Sequence, residues 1–329
     1  MPKRAWKDIL ARTYKRTWDD NVGLVAAGVA FYGFFALLSL LGLIVLVYGF
    51  VADPRTVVEH MRVLTAVLPS DVAILIGDQL MTAVKSSEGI KGAGILLAIV
   101  VALYGGSNGA AGVITALNIA YEEKDTRSLF SFYVLAVSMT VIALLVALIA
   151  LAGTAALALL QEILPEASPA LVLAGEGLGY LLLVGVAAGI ASVLYRFGPA
   201  REDAKWRWIT PGSLFAAISW LLLSAAFGIY LSDFTDYDAS YGSLAAAVAL
   251  LTWMYFCAYA FVFGAELNSE IEHQTAKDST TGSPKPLGER GAWAADNVAT
   301  DDTVQDRPEE AREGERLTEA SPTIADEEA

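Results

Sequence analysis

Residues able to do nucleophilic, acid–base or metal chemistry are few in this 329-residue chain, and they are scattered. There are two histidines, His60 and His273, and a single cysteine, Cys257. With one cysteine and two distant histidines, no zinc site of the usual ligand spacing can be written. The topology read below puts the two histidines on opposite sides of a membrane, so no Ser-His-Asp set can form around them. The chain has no G-x-x-x-x-G-K-[ST] loop and no dinucleotide fingerprint after a strand, which argues against ATP hydrolysis and Rossmann cofactors. No enzyme activity, cofactor or metal is expected. Cys257 sits in an apolar run and reads as a small buried residue.

The polar residues that stand out are those surrounded by apolar sequence. Gly105-Gly106-Ser107-Asn108-Gly109 falls near the middle of a long apolar run. Two readings stay open. In one, Gly105 and Gly109 let a neighbouring helix approach closely, and Asn108 hydrogen-bonds across to it. In the other, the helix breaks at mid-depth and exposes backbone groups along a substrate path. Gly185 and Gly189 suggest a further close-packing face. Glu176 and the cluster Asp233, Asp236 and Asp238 with Tyr237 and Tyr241 lie at run ends or in loops, where water solvates acids. Glu266 and Asn268 close the last apolar run, where they could hold a neighbouring helix end or loop.

The elements that carry these residues follow from composition. Apolar residues make up 55% and charged ones 18% of the chain, and the mean hydropathy is +0.51. Soluble domains are about 25% charged. Between Val22 and Ala52 there is no ionisable acid or base, and a hydrocarbon core is crossed by about 20 helical residues. Six runs qualify: residues 23–51, 92–120, 129–160, 179–195, 209–231 and 242–265. The fold expected is all-α: a polytopic six-helix transmembrane bundle over residues 21–272. A basic amphipathic segment over residues 1–20 precedes it. The first run is too long for a signal h-region and reads as a retained span.

Lys and Arg mark the cytoplasmic side. Bases crowd the N-terminal segment (Lys3, Arg4, Lys7, Arg12, Lys15, Arg16), the second connection (Lys124, Arg127) and the fourth (Arg196, Arg201, Lys205, Arg207). Residues 161–170 and 232–241 carry none. The reading is a multi-pass protein of the cytoplasmic membrane with both termini cytoplasmic. On the first segment, Trp6, Leu10, Tyr14 and Trp18 recur four apart as one stripe, which suits a helix at the headgroup boundary or a plain basic flank. On the far side, Asp53-Pro54 and Pro69-Ser70 start two short amphipathic helices between residues 53 and 91.

The net charge of −14 is concentrated at the C-terminus, where residues 266–329 hold 17 acids and 6 bases. Residues 273–329 therefore read as a disordered acidic cytoplasmic tail. Membrane lipids are the expected partners, with a homo-oligomer or a protein held through the tail left open. Nucleic acid is not expected, because phosphate binding needs clustered bases.

Four stretches resemble the YihY/BrkB family of integral membrane proteins, once labelled ribonuclease BN. The first is Ala26-Ala27-Gly28-Val29-Ala30-Phe31-Tyr32 with Leu37-Leu38-Ser39. The second is Ala116-Leu117-Asn118-Ile119-Ala120-Tyr121, then Arg127. The third is Tyr195-Arg196-Phe197-Gly198-Pro199, then Pro211-Gly212. The fourth is Tyr241-Gly242-Ser243-Leu244, then Trp253 and Gly264-Ala265-Glu266-Leu267-Asn268. The family's proline after L-L-S is Leu40 here. The resemblance covers residues 7–272 and implies six spans in the cytoplasmic membrane. It marks Asn118, Tyr241, Gly242, Glu266 and Asn268 as candidate structural or gating residues. The ribonuclease label finds no chemistry in this sequence to support it. Two functions are expected in order: a transporter or flippase of a lipid-linked or small amphiphilic solute, using Gly105–Gly109 as its path, and a scaffold organising envelope components.

Overall fold

The computed structural model describes residues 3–51, 91–163, 169–233 and 238–299. They form eight helices: α1 (Lys3–Asp19), α2 (Val22–Val51), α3 (Lys91–Ala120), α4 (Leu129–Ile163), α5 (Pro169–Phe197), α6 (Trp206–Asp233), α7 (Asp238–His273) and the one-turn α8 (Trp293–Asp296). No strand occurs among the described residues, apart from an isolated antiparallel bridge between Ala204 and Thr280. Helices α2 to α7 are the six long and apolar enough to cross a membrane. In hydrocarbon each backbone N–H and C=O must be paired within its own segment, and a continuous helix does that. The short helices expected between residues 53 and 91 lie outside the described residues, as do His60 and Asp236.

Helix boundaries have local causes. Asn21 takes a left-handed conformation (φ 50°) and breaks α1 from α2, and asparagine tolerates that geometry better than most residues. Glu122 does the same after α3 (φ 55°). Ser128 Oγ accepts the Ser131 N–H at 3.2 Å and caps α4. Pro169 opens α5 at the first helical position, where its missing N–H costs nothing.

Side by side the spans run α4, α3, α2, α7, α6, α5, with α3 also touching α7. Helices α4 and α5 are consecutive in sequence, yet they stand at the two ends of this row. Among the described residues they do not pack along one another. Their outward faces are apolar and open: Phe130 is 80% exposed and Leu181 72%. Water would not tolerate such a surface over whole helices, and lipid does.

One end of the bundle is polar. A 36-residue helix such as α7 is about 54 Å long, against about 30 Å of hydrocarbon, so its last turns project beyond it. The N-terminal helix α1 docks there. Its buried face is Ile9, Thr13 and Thr17, while Trp6, Leu10, Tyr14 and Trp18 point outward, as a helix at the headgroup boundary would hold them. The loops after α3 and α5 gather at the same end.

So does residues 274–299, where the structure differs from the disordered tail expected. The Lys205 N–H donates to Ser279 O and the Thr281 N–H to Asp203 O, both at 2.8 Å. Asp278 accepts from Thr280 Oγ1 at 2.7 Å and from the Lys285 N–H at 2.9 Å. Arg290 is only 5% exposed and donates to the carbonyls of Ala295 and Ala276. Asp296 accepts the N–H groups of Gly288, Arg290 and Gly291. The segment is held by polar staples rather than an apolar core, so its polar composition read as disorder. The acidic residues beyond 299 lie outside the described residues.

Candidate functional site at the polar end

Helix α6 contains Pro211, which has no N–H to give and disturbs the ladder around it. Asn268 of α7 repairs the gap. Its Nδ2 donates to Ile209 O at 3.0 Å, and its Oδ1 accepts the Gly212 N–H at 2.7 Å. The two helices cross on glycine: a Cβ at Gly264 would meet Gly212 O and Tyr195 Oη, each at 2.6 Å, and a Cβ at Gly212 would collide with Gly264 O. Tyr195 of α5 is buried and its hydroxyl donates to Phe261 O of α7 at 2.7 Å. One crossing therefore joins α5, α6 and α7.

Asn118, at the end of α3, ties the loops together. Its Nδ2 donates to Asp125 Oδ2 at 3.0 Å and its Oδ1 accepts the Ala200 N–H at 2.7 Å. Arg127 reaches from the start of α4 to Gly198 O, beyond the end of α5, at 2.7 Å.

The last turns of α7 bury Glu266, Glu270 and Glu272 completely. Glu270 pairs with Arg12 and Arg16 of α1 and faces His273 Nδ1 at 3.4 Å. Glu272 pairs with Arg201 at 2.7 Å and accepts from Ser279 Oγ at 2.8 Å. The Arg201 guanidinium lies over the Tyr121 ring, 5.2 Å from its centroid. Both oxygens of Glu266 lack a hydrogen-bond donor. Nearby, burial first and then Glu122 push Asp20 up to about 6, against the pull of Arg16. Burial likewise raises Glu123, opposed by the Trp293 N–H and Arg201. Asp278 behaves in the opposite way: burial opposes the change, but hydrogen bonds from Thr280 and Lys285 hold it down at about 2.

An open cleft of about 600 Å³ lies between the start of α4 and the loop after α5. Arg127, Arg201, Glu202 and Asp203 line it together with Leu135 and Phe197. Charge of both signs thus meets apolar surface at the polar mouth of the α4–α5 gap. Among the described residues no cluster of three or more His, Cys, Asp or Glu could hold a metal ion.

The sequence candidates separate into two groups. Asn118, Glu266 and Asn268 come together at the polar end, as Asn118 and Asn268 contacts show. Tyr241 and Gly242 sit in the first turns of α7, at its other end, and their side chains lie outside the described residues. The stretch Gly105, Gly106, Ser107, Asn108 and Gly109 lies within an unbroken α3. A Cβ at Gly105 would meet Ser39, one at Gly109 would meet Ala36 at 3.3 Å, and one at Gly106 would meet Thr140 of α4. The glycines are packing contacts on α2 and α4, in line with the first of the two readings. Asn108 does not reach a neighbour: it donates to Tyr104 O, one turn back. Among the described residues the packing face expected at Gly185 and Gly189 is not used, since a Cβ at either meets nothing within 4 Å. Sequence reasoning also missed the Arg201–Glu272 pair and the Arg127 bridge. Arg127 is a motif residue and Arg201 and Glu272 lie close to motif residues, but only the tertiary fold says which base meets which acid.

Comparison with known proteins places these residues in context. The family model described as Virulence factor BrkB matches residues 13–287. A UPF0761 membrane protein of Alteromonas mediterranea is 27% identical over 296 residues, 85% of this chain and 94% of that protein. The ribonuclease-like protein YfkH of Bacillus subtilis is 28% identical over 174 residues, 52% of this chain and 63% of YfkH. A UPF0761 membrane protein of Stenotrophomonas maltophilia is 35% identical over 80 residues, 24% of this chain and 19% of its own length. The match thus spans less than two thirds of YfkH and of the Stenotrophomonas protein. No solved structure matches the fold.

Proposed function

Starting from a chain that belongs to the virulence factor BrkB family, we propose that it carries a lipid-linked or small amphiphilic solute across the cytoplasmic membrane. The observation that carries this reading is the open gap between α4 and α5, with a charged cleft at its polar mouth. A solute with a polar head and an apolar tail needs both features: head groups partner Arg127, Glu202 or Asp203, and tails lie against the apolar flanks of the two helices. In this reading the Gly105–Gly109 stretch is the small-residue seam of α3, and Gly106 is the point at which α4 shifts against it. A seam of small residues allows close sliding contact without interlocking side chains.

The polar end is cytoplasmic in this proposal. The support is that Arg12, Arg16, Arg127, Arg196 and Arg201 all gather there, and bases are retained on the cytoplasmic side. No catalytic centre and no nucleic-acid surface is proposed. With no nucleotide-binding loop, transport draws on an ion gradient, on equilibration or on a partner. A second reading, a scaffold for envelope components, is favoured by the folded 274–299 segment, which gives a partner a defined surface. Reconstitution into liposomes tests the first. Scrambling or flux above empty vesicles is expected with at least one lipid or amphiphile class. No transport across lipids and ions removes it, and partner capture that depends on residues 274–329 then supports the second.

A further inference from the structure

Glu266 is fully buried and neither of its oxygens meets a donor. The carboxyl of Asp20, in the turn between α1 and α2, lies within hydrogen-bonding reach of it, and Asp20 Oδ2 is also buried without a donor. Two carboxylates cannot hydrogen-bond each other, because both only accept. They can do so once one of them keeps a proton. The other charges facing the pair do not neutralise it. From α1 come Arg16 and Asp19, from the end of α3 the buried phenol Tyr121 and Glu122, and from α7 Glu270. Arg16 is the base among them, and it already holds Glu122 and Glu270 at 2.5 Å each. Arg12 is committed to Glu270 as well. Two like charges buried this close repel strongly, and a buried carboxylate without a donor is costly.

We infer that Asp20 and Glu266 form a proton-binding site, one proton shared between the two carboxyls, which clips the α1–α2 turn to the end of α7. The proton comes from solvent and returns to it when the clip opens. Loss of the proton leaves two anions face to face and drives the α1–α2 turn away from α7. The site does not depend on whether the chain transports a solute, so a failed flux assay leaves it standing.

The sign follows from the raised acid. A carboxyl that keeps its proton longer in the folded than in the unfolded state gives stability at low pH, lost as pH rises through its folded value. For Asp20 that window runs from 3.8 upward through about 6. The test is infrared spectroscopy of the purified full chain in detergent, with thermal unfolding followed in parallel from pH 5 to pH 9. A protonated-carboxyl stretching band is expected at pH 5, titrating away as pH rises while the wild-type Tm falls. Glu266→Gln should remove that band and flatten the Tm profile, with a higher Tm than wild type at pH 9. Asp20→Asn should move the band's midpoint to lower pH, because the opposing charge is gone; it gives an independent reading if the Gln variant does not fold. Absence of the band at every pH overturns the inference. So does a band unchanged in both variants, or a Tm that follows sodium substituted for choline at fixed pH rather than pH itself.

Discussion

The middle of the helix row and its two ends are built differently. In the middle, α3, α2, α7 and α6 are locked by glycine crossings, amide clamps and buried ion pairs that converge on the polar end. At its two ends, the outer faces of α4 and α5 offer lipid a surface of Phe130, Ile142, Leu181 and Val186, all more than half exposed; α4 packs along α3, and α5 is tied to α6 and α7 through Ser192 and Tyr195 near the polar end. Helices in a bilayer gain little from burying one apolar side chain against another, since lipid tails are equally apolar. Fixed geometry is therefore obtained from close backbone approach and polar contacts. Where those are few, a shift meets less resistance, and under the proposed function the difference is that between a frame and a movable flank.

Substitutions sharpen that contrast. The largest effect is expected from Arg201→Ala, which strands Glu272 as an unpaired buried charge and should cost about 3–5 kcal/mol. Gly212→Ala forces a methyl into Gly264 O and should cost about 1–3 kcal/mol through overpacking. Both should appear as a lowered Tm and lost monodispersity in detergent. Asn268→Ala leaves the Gly212 N–H and Ile209 C=O unpaired, for about 1–3 kcal/mol. By contrast Gly185→Ala, on the open face of α5, should stay within about 0.5 kcal/mol of wild type. A Gly185→Ala loss comparable to that of Gly212→Ala would abolish the distinction between frame and flank.

The smallest effect concerns residues 274–299. Asp278 is held at about 2 by donors from Thr280 and Lys285. A depressed acid contributes stability above its unfolded value, and that contribution is lost as pH falls from 3.8 toward about 2. Limited proteolysis with an acid-active protease should therefore cut this segment sooner near pH 2 than near pH 4. Asp278→Asn should already be cut readily at pH 4.

The spans and their number were legible because length and unbroken apolarity determine them: every expected run falls inside one of α2–α7. The position of the polar end was legible too, from Arg12, Arg127 and Arg201 in alternate loops. What escaped was pairing. Nothing in the local sequence says that Asn268 serves Gly212, or that Arg201 meets Glu272 rather than Glu202 beside it. Gly105 and Gly185 look alike in sequence, yet one packs against Ser39 and the other faces open space. The segment 274–299 escaped because Asp278, Arg290 and Asp296 order it with hydrogen bonds, which leave no hydrophobic periodicity to read.

The movable flank is most directly tested by tethering it. With Cys257→Ser as background, cysteines replace Leu135 and Phe197, the apolar residues on the two walls of the cleft, and a bifunctional maleimide joins them in reconstituted vesicles. The tethered protein should lose lipid or amphiphile transport while the unlinked double variant retains it. Transport at the same rate with α4 and α5 joined would contradict the account.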